Sequence, residues 1–177
     1  MAAGTGRLFF ARMRLAALHK TLFACLVALM PLLVAANPAP EVVRWSDIQL
    51  VDGTVLKAKD LAGKTVVVEF WASWCPFCAK QNPFIEKLHR AHGGKGQGLV
   101  VLTFTLDKTD EAALGYLKSH GYTFAAARSS KQIEGWFGGR RTLPEVYVVD
   151  PKGRIVFRES GEMFEEDIAA LARFAAN

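Results

Sequence analysis

The chain is 177 residues long, 51% hydrophobic and 22% charged, with 15 glycines and 7 prolines; this composition suits one globular domain with a short appendage and excludes a disordered or fibrous protein. Its net charge of +5 is unevenly spread: Arg7, Arg12, Arg14 and Lys20 precede residue 37, no acidic residue does, and taking those four from 22 basic residues leaves 18 against 17 acidic ones. The basicity belongs to the leader, so no nucleic-acid partner is expected.

Residues 1–36 read as an export leader. Arg7, Arg12, Arg14, His19 and Lys20 form a basic start, the apolar run from Thr21 to Ala36 follows, and Val34-Ala35-Ala36 offers small residues before Asn37. The run is shorter than the roughly 20 residues of a comfortable spanning helix, and Pro31 interrupts it. A cleaved signal fits this better than a retained inner-membrane anchor. Cys25 sits at the start of the apolar core rather than its end, which speaks against a lipoprotein. The expected location is the periplasm, soluble after cleavage or tethered to the inner membrane. A linker marked by Pro38 and Pro40 occupies 37–44, and one domain fills 45–177.

Within that domain, Trp45 to Lys64 reads as a hairpin around Asp52-Gly53 with a further turn at Gly63. Thr65 to Ala72 (TVVVEFWA) is a β-branched and aromatic run without alternation, as expected of a strand buried on both faces. From Cys75 to about Ala91 the pattern is helical, with Phe84, Ile85 and Leu88 on one face and Pro83 set to kink it. The glycine-rich loop His92 to Gly98 precedes a strand, whereas a phosphate cradle needs a helix there. A strand over Leu99–Leu106 follows, then a helix over Thr109–His120 capped by Thr109, a short strand near Tyr122–Ala127 and a short helix near Lys131–Phe137. Glu145–Asp150 and Arg154–Glu159 flank the turn Pro151-Lys152-Gly153 as a second hairpin. One amphipathic helix, Phe164–Ala175, closes the chain with Ile168, Leu171 and Phe174 on its buried face. The order predicts an α/β domain with a central mixed sheet flanked by helices.

After export the domain holds two cysteines, Cys75 and Cys78, in WASWCPFC. A domain of about 140 residues buries enough core to stand without staples, and a disulfide closing so short a loop constrains little of the unfolded chain. Cys75 falls where a buried strand ends and a helix begins. The helix N-terminus favours negative charge there and lowers a thiol's pKa. Cys78 lies one turn on, close enough to close a disulfide, an arrangement suited to thiol–disulfide exchange. The chain also spells C-x2-C-x10-H-x2-H with His89 and His92. One helix from Cys75 past His89 would hold those pairs roughly 20 Å apart, too far for one zinc ion, so both histidines read as solvated helix-end residues and no metal site is assigned. The two thiols with outside ligands could still carry copper or zinc.

FWASWCPFC behind a buried strand resembles the active site of the thioredoxin family. Residues 42–175 are similar to its TlpA-like (ResA-like) branch of periplasmic thiol–disulfide oxidoreductases: the hairpin ending in DLAGK, TVVVEFWASWC, a strand–helix insert over Leu99–Phe137, and LPEVYVVDPKGRIVFRESG. The resemblance implies a thioredoxin fold in which Cys75 attacks, Cys78 resolves and Pro144 is a cis-proline facing them. A cis bond there would turn the backbone of Leu143 toward the cysteines as an edge for a substrate peptide. Glu69, six residues before Cys75, is a lone carboxylate in an apolar strand, and burial should raise its pKa. The family carries an acid at this position, which makes Glu69 a candidate proton acceptor for Cys78. Trp71 reads as core and Trp74 as active-site surface, while Pro76 and Phe77 tune the thiol–disulfide balance. Arg140 and Arg141 read as a solvated loop.

Three positions depart from the branch: Gln81 replaces a common glutamate, Thr142 a usual glycine and Glu145 a usual threonine. Fold and thiol chemistry survive these changes, but assignment to a pathway such as cytochrome c maturation does not. The expectation is an exported oxidoreductase that needs no cofactor, exchanges with protein thiols or disulfides, and as a reductant draws on a membrane electron donor. The rivals are a thiol oxidase on the same fold and a metallochaperone using the CxxC thiols.

Overall fold

The computed structural model describes residues 42–93, 98–139 and 142–175; the leader, Arg140 and Arg141 lie outside them. A two-stranded antiparallel hairpin, β1 (Ile48–Gln49) and β2 (Val55–Leu56), precedes a five-stranded sheet. That sheet is built from β3 (Thr65–Trp71), β4 (Leu99–Thr105), β5 (Ala125–Arg128), β6 (Glu145–Val149) and β7 (Ile155–Ser160) in the order β5-β4-β3-β6-β7. β5, β4 and β3 run parallel, β6 pairs antiparallel with β3, and β7 pairs antiparallel with β6. The central position of β3 explains its unbroken apolar run: every one of its residues is buried.

Helices α1 (Ala58–Leu61), α2 (Pro76–His92), α3 (Asp110–His120), α4 (Lys131–Trp136) and α5 (Glu165–Ala170) complete the domain. Alternation along the strands divides the core in two. Val67, Trp71, Val101, Val146 and Val148 pack with Ile85 and Leu88 of α2 and Ile168 of α5. Val66, Val68, Phe70, Tyr147 and Val149 pack with Leu61, Ile133 and Phe137.

Local chemistry sets the element ends. Thr109 caps α3 by accepting from the Ala112 N–H (3.2 Å), and Gly121, at φ 68°, ends it. Gly153 turns the second hairpin at φ 81°, where a Cβ would stand 2.6 Å from the Val43 carbonyl. Only glycine admits that approach.

Three expectations change. α1 lies where only strand and turn were expected; it is a single turn, too short to leave a helical period, and the Asp47 carboxylate caps it from a distance through the Ala58 N–H (3.0 Å). The closing helix is α-helical over Glu165–Ala170 and continues as a 3₁₀ turn, Leu171–Phe174. Ile168 and Leu171 are fully buried and Phe174 half-buried, its carbonyl accepting from the Thr65 hydroxyl (2.6 Å). His89 is half-buried instead of solvated, and its Nδ1 has no hydrogen-bond partner among the described residues. Burial holds its pKa below the ordinary histidine value, against the opposing pull of Glu86. The helix itself runs unbroken through Pro83.

Candidate redox site

Both cysteines hang from the carboxyl end of the central strand. Cys75 is the N-cap of α2, Pro76 occupies the first helical position, where a missing N–H costs nothing, and Cys75 and Cys78 form a disulfide with Cα atoms 5.3 Å apart. The Cys78 N–H donates to the Cys75 sulfur (3.2 Å). A donor and a helix N-terminus aimed at one sulfur favour its thiolate when the pair is reduced. Cys78 is fully buried while Cys75 keeps 4% exposure, so Cys75 alone of the pair touches solvent.

Glu69 sits on β3, facing α2 like Val67 and Trp71, and is completely buried. Burial raises its pKa to about 8, against the lowering effect of a hydrogen bond from Gln81. The Gln81 amide donates to Glu69 Oε1 (2.7 Å) and accepts from the Met163 N–H (2.7 Å). Asn82, in the orientation that satisfies its neighbours, donates to the Cys78 carbonyl (3.1 Å) and to Glu69 Oε2 (3.3 Å). The polar pocket behind the disulfide is thus a carboxyl held between two amides.

Leu143–Pro144 is a cis peptide. The register Phe70↔Glu145 sets Pro144 beside the end of β3, the strand that leads into Cys75. The Pro144 carbonyl accepts from the Gly161 N–H (2.9 Å). Glu145 is fully buried; its Oε1 accepts from Arg158 (2.9 Å) and the Ser160 hydroxyl (3.0 Å), and its Oε2 has no hydrogen-bond partner among the described residues. Around the disulfide, Trp74 (67% exposed) and Phe77 (53%) present bare aromatic surface, whereas Trp71 is wholly buried with its indole N–H on Thr103. Thr142 is exposed and Leu143 half-buried.

Sequence reasoning missed Asp107. This buried carboxylate at the end of β4 holds Ser73, two residues before Cys75, and also accepts from the Thr105 hydroxyl (2.7 Å). It missed Glu86 as well, which accepts from the Thr123 N–H (2.8 Å) and hydroxyl (2.7 Å), the Phe124 N–H (3.2 Å) and Arg90 (2.6 Å). Burial alone would push the Glu86 carboxyl up; those donors outweigh it and hold it below the usual value. Neither residue lies in a motif; Glu86 pairs locally with Arg90, but the partners that give each carboxylate its role, Ser73 for Asp107 and Thr123 and Phe124 for Glu86, are remote in sequence and leave no local signal. A polar cleft of about 490 Å³ lined by Asp47, Asp110, Arg128, Ser130 and Trp136 contains neither cysteine. Among the described residues, no group of three His, Cys, Asp or Glu side chains is placed to hold a metal ion.

Known proteins resemble the chain in sequence and in fold. Residues 34–172 match the family described as Redoxin. The chain is 30% identical over 119 residues to the thiol-disulfide oxidoreductase ResA of Bacillus thuringiensis, covering 67% of each chain. It is 35% identical over 104 residues to the thiol:disulfide interchange protein DsbE homolog of Paracoccus denitrificans, covering 57% of this chain and 53% of that one. The crystal structure of a thiol:disulfide interchange protein of the thioredoxin family from Chlorobium tepidum superimposes with a TM-score of 0.70 at 20% identity, over 80% of this chain and all of that one. That structure bears on the fold alone, a mixed five-stranded sheet flanked by helices. With the matched region spanning most of its length, the chain belongs to the Redoxin family of thioredoxin-like proteins.

Proposed function

We propose that the protein is an exported thiol–disulfide oxidoreductase that reduces disulfides in partner proteins. The observation that carries this reading is the Cys75–Cys78 pair at the tip of α2, with the Cys78 N–H on the Cys75 sulfur and buried Glu69 behind it. In the reduced protein the Cys75 thiolate attacks a sulfur of the partner's disulfide. An S–S bond forms between Cys75 and the partner, and the partner's other sulfur leaves as a thiolate. Glu69 takes the Cys78 proton, and the Cys78 thiolate attacks the Cys75 sulfur. The Cys75–Cys78 disulfide closes and the second partner thiol departs. Two electrons pass from the chain to the partner, and a membrane electron donor restores the dithiol. The bare rings of Trp74 and Phe77, together with the Leu143–Pro144 edge, form the surface on which a partner segment lies. Pro76 and Phe77 set the stability of the disulfide relative to the dithiol.

Export rests on the leader, residues 1–36, read as a cleaved signal that leaves the domain in the periplasm. Among the described residues no helix is long and apolar enough to cross a membrane.

Trapping tests the assignment of roles. Cys78→Ala, mixed with a disulfide-bonded protein, is expected to accumulate a mixed disulfide through Cys75, while Cys75→Ala traps none and has no exchange activity. Equal trapping through Cys78 in Cys75→Ala would reverse the roles of the two thiols.

A further inference from the structure

The segment between β7 and α5, residues 161–164, touches the candidate site at three successive positions. Gly161 N–H donates to the Pro144 carbonyl (2.9 Å), Glu162 pairs with Lys80 (3.6 Å), whose ammonium lies 5.5 Å from the Phe77 ring centre, and Met163 N–H donates to Gln81 (2.7 Å). The last contact fixes more than a side chain. A backbone N–H can only donate, so Oε1 of Gln81 must face Met163, and Nε2 must then face Glu69. Gln81 is wholly buried.

We infer that Gln81 is a positioning residue for the thiol chemistry: anchored by the Met163 backbone, it fixes the Glu69 carboxyl beside Cys78 and sets its affinity for the proton it exchanges. The inference rests on Glu69 being the proton acceptor. An N–H donor aimed at a carboxyl oxygen stabilises the charged form, in opposition to burial, which favours the neutral one. Gln81 therefore keeps Glu69 able to ionise within reach of neutral pH in a pocket that would otherwise hold it protonated. Gln81 and Asn82 reach Glu69 from α2, Asn82 linking it to the Cys78 carbonyl, and Val146 of β6 and Thr103 of β4 are its neighbours across the sheet. Tyr116 and Tyr122, whose own pKa values burial raises first and Glu69 raises further, are neutral where Glu69 titrates. None of these can replace the Gln81 donor on Oε1.

The test compares the wild type, Gln81→Met and Glu69→Gln by two readouts. One is the pH titration of the Glu69 carboxyl carbon followed by NMR in the oxidised proteins. The other is the pH profile of the second phase of a single turnover with 5,5′-dithiobis(2-nitrobenzoate), the phase in which Cys78 releases nitrothiobenzoate from Cys75. In Gln81→Met the carboxyl midpoint is expected about one pH unit higher, and the rate profile moves up with it; Glu69→Gln loses that limb altogether. A fall in thermal stability alone would move neither readout. A carboxyl midpoint unchanged in Gln81→Met overturns the role of Gln81 while leaving Glu69 intact. A rate profile indifferent to Glu69→Gln overturns Glu69 as acceptor, and the present inference with it. Gln81→Asn, which keeps the amide but falls one carbon short of Glu69, serves if the methionine variant does not fold, with the same outcomes.

Discussion

Asp107 grips Ser73 twice, accepting from its backbone N–H at 3.1 Å and from its hydroxyl at 2.7 Å. The grip ties the loop that carries Cys75 to the neighbouring strand β4. Asp107→Ala would strand the Ser73 and Thr105 donors in a largely buried place, at a cost of about 1–3 kcal/mol. Urea unfolding should record that loss. Exchange should slow as well, since the loop before Cys75 loses its anchor.

Glu69 gives the fold a pH dependence of definite sign. Its folded value, about 8, lies above its ordinary 4.5, so between these limits the native state holds a proton that the unfolded chain has released. The stability from neutral Glu69 is fully present below pH 4.5 and is lost as pH rises toward and through 8. From pH 4.5 to 7 that loss amounts to about 3 kcal/mol. In Glu69→Gln the decline should be absent, and the variant should be more stable than the wild type at pH 8. Chemical denaturation of both oxidised proteins at pH 5 and pH 8 measures the difference.

The pair Glu145–Arg158 joins a wholly buried carboxylate to a guanidinium that reaches it from the surface. Arg158→Met leaves the carboxylate beside Pro144 in the core with the Ser160 hydroxyl on the same oxygen that Arg158 held. Leaving that buried oxygen without its charged donor costs about 1–3 kcal/mol. Adding Glu145→Gln to Arg158→Met removes the stranded charge and should recover most of that loss, which a double-mutant cycle of unfolding free energies would show.

Trp74 and Phe77 separate stability from recognition. Both rings are mostly exposed, so Trp74→Ala with Phe77→Ala should change stability by no more than about 0.5 kcal/mol per site. Reduction of a disulfide-bonded protein should slow several-fold, whereas reaction with a small aromatic disulfide should stay close to wild type. Parallel rates with the two substrates give the comparison.

Much of this architecture is written locally in the chain. The run TVVVEFW became the central strand because burial on both faces demands an apolar sequence without alternation. Capping by Thr109 and the turn at Asp52-Gly53 appear as read, because caps and turns depend on neighbouring residues. CPFC at the start of a helix and the cis bond at Pro144 both appear, the second foreseen through resemblance alone. What escaped is held by distant partners. Asp107 and Ser73 are 34 residues apart, Gln81 and Met163 82 apart, and nothing near any of them signals the bond. Glu145 stands out in the sequence only as a replacement for a usual threonine; its carboxylate is buried and accepts from Arg158. His89 looked solvated because helix ends usually are, and only the packing around α2 covers it.

The most direct measurement is the redox midpoint of the Cys75–Cys78 pair in the domain from residue 37 onward, equilibrated against glutathione or dithiothreitol. A reductant of protein disulfides should lie at or below about −250 mV, on the thioredoxin side of the scale. A midpoint near about −120 mV would mark a strong disulfide donor and contradict the direction of electron flow proposed for this protein.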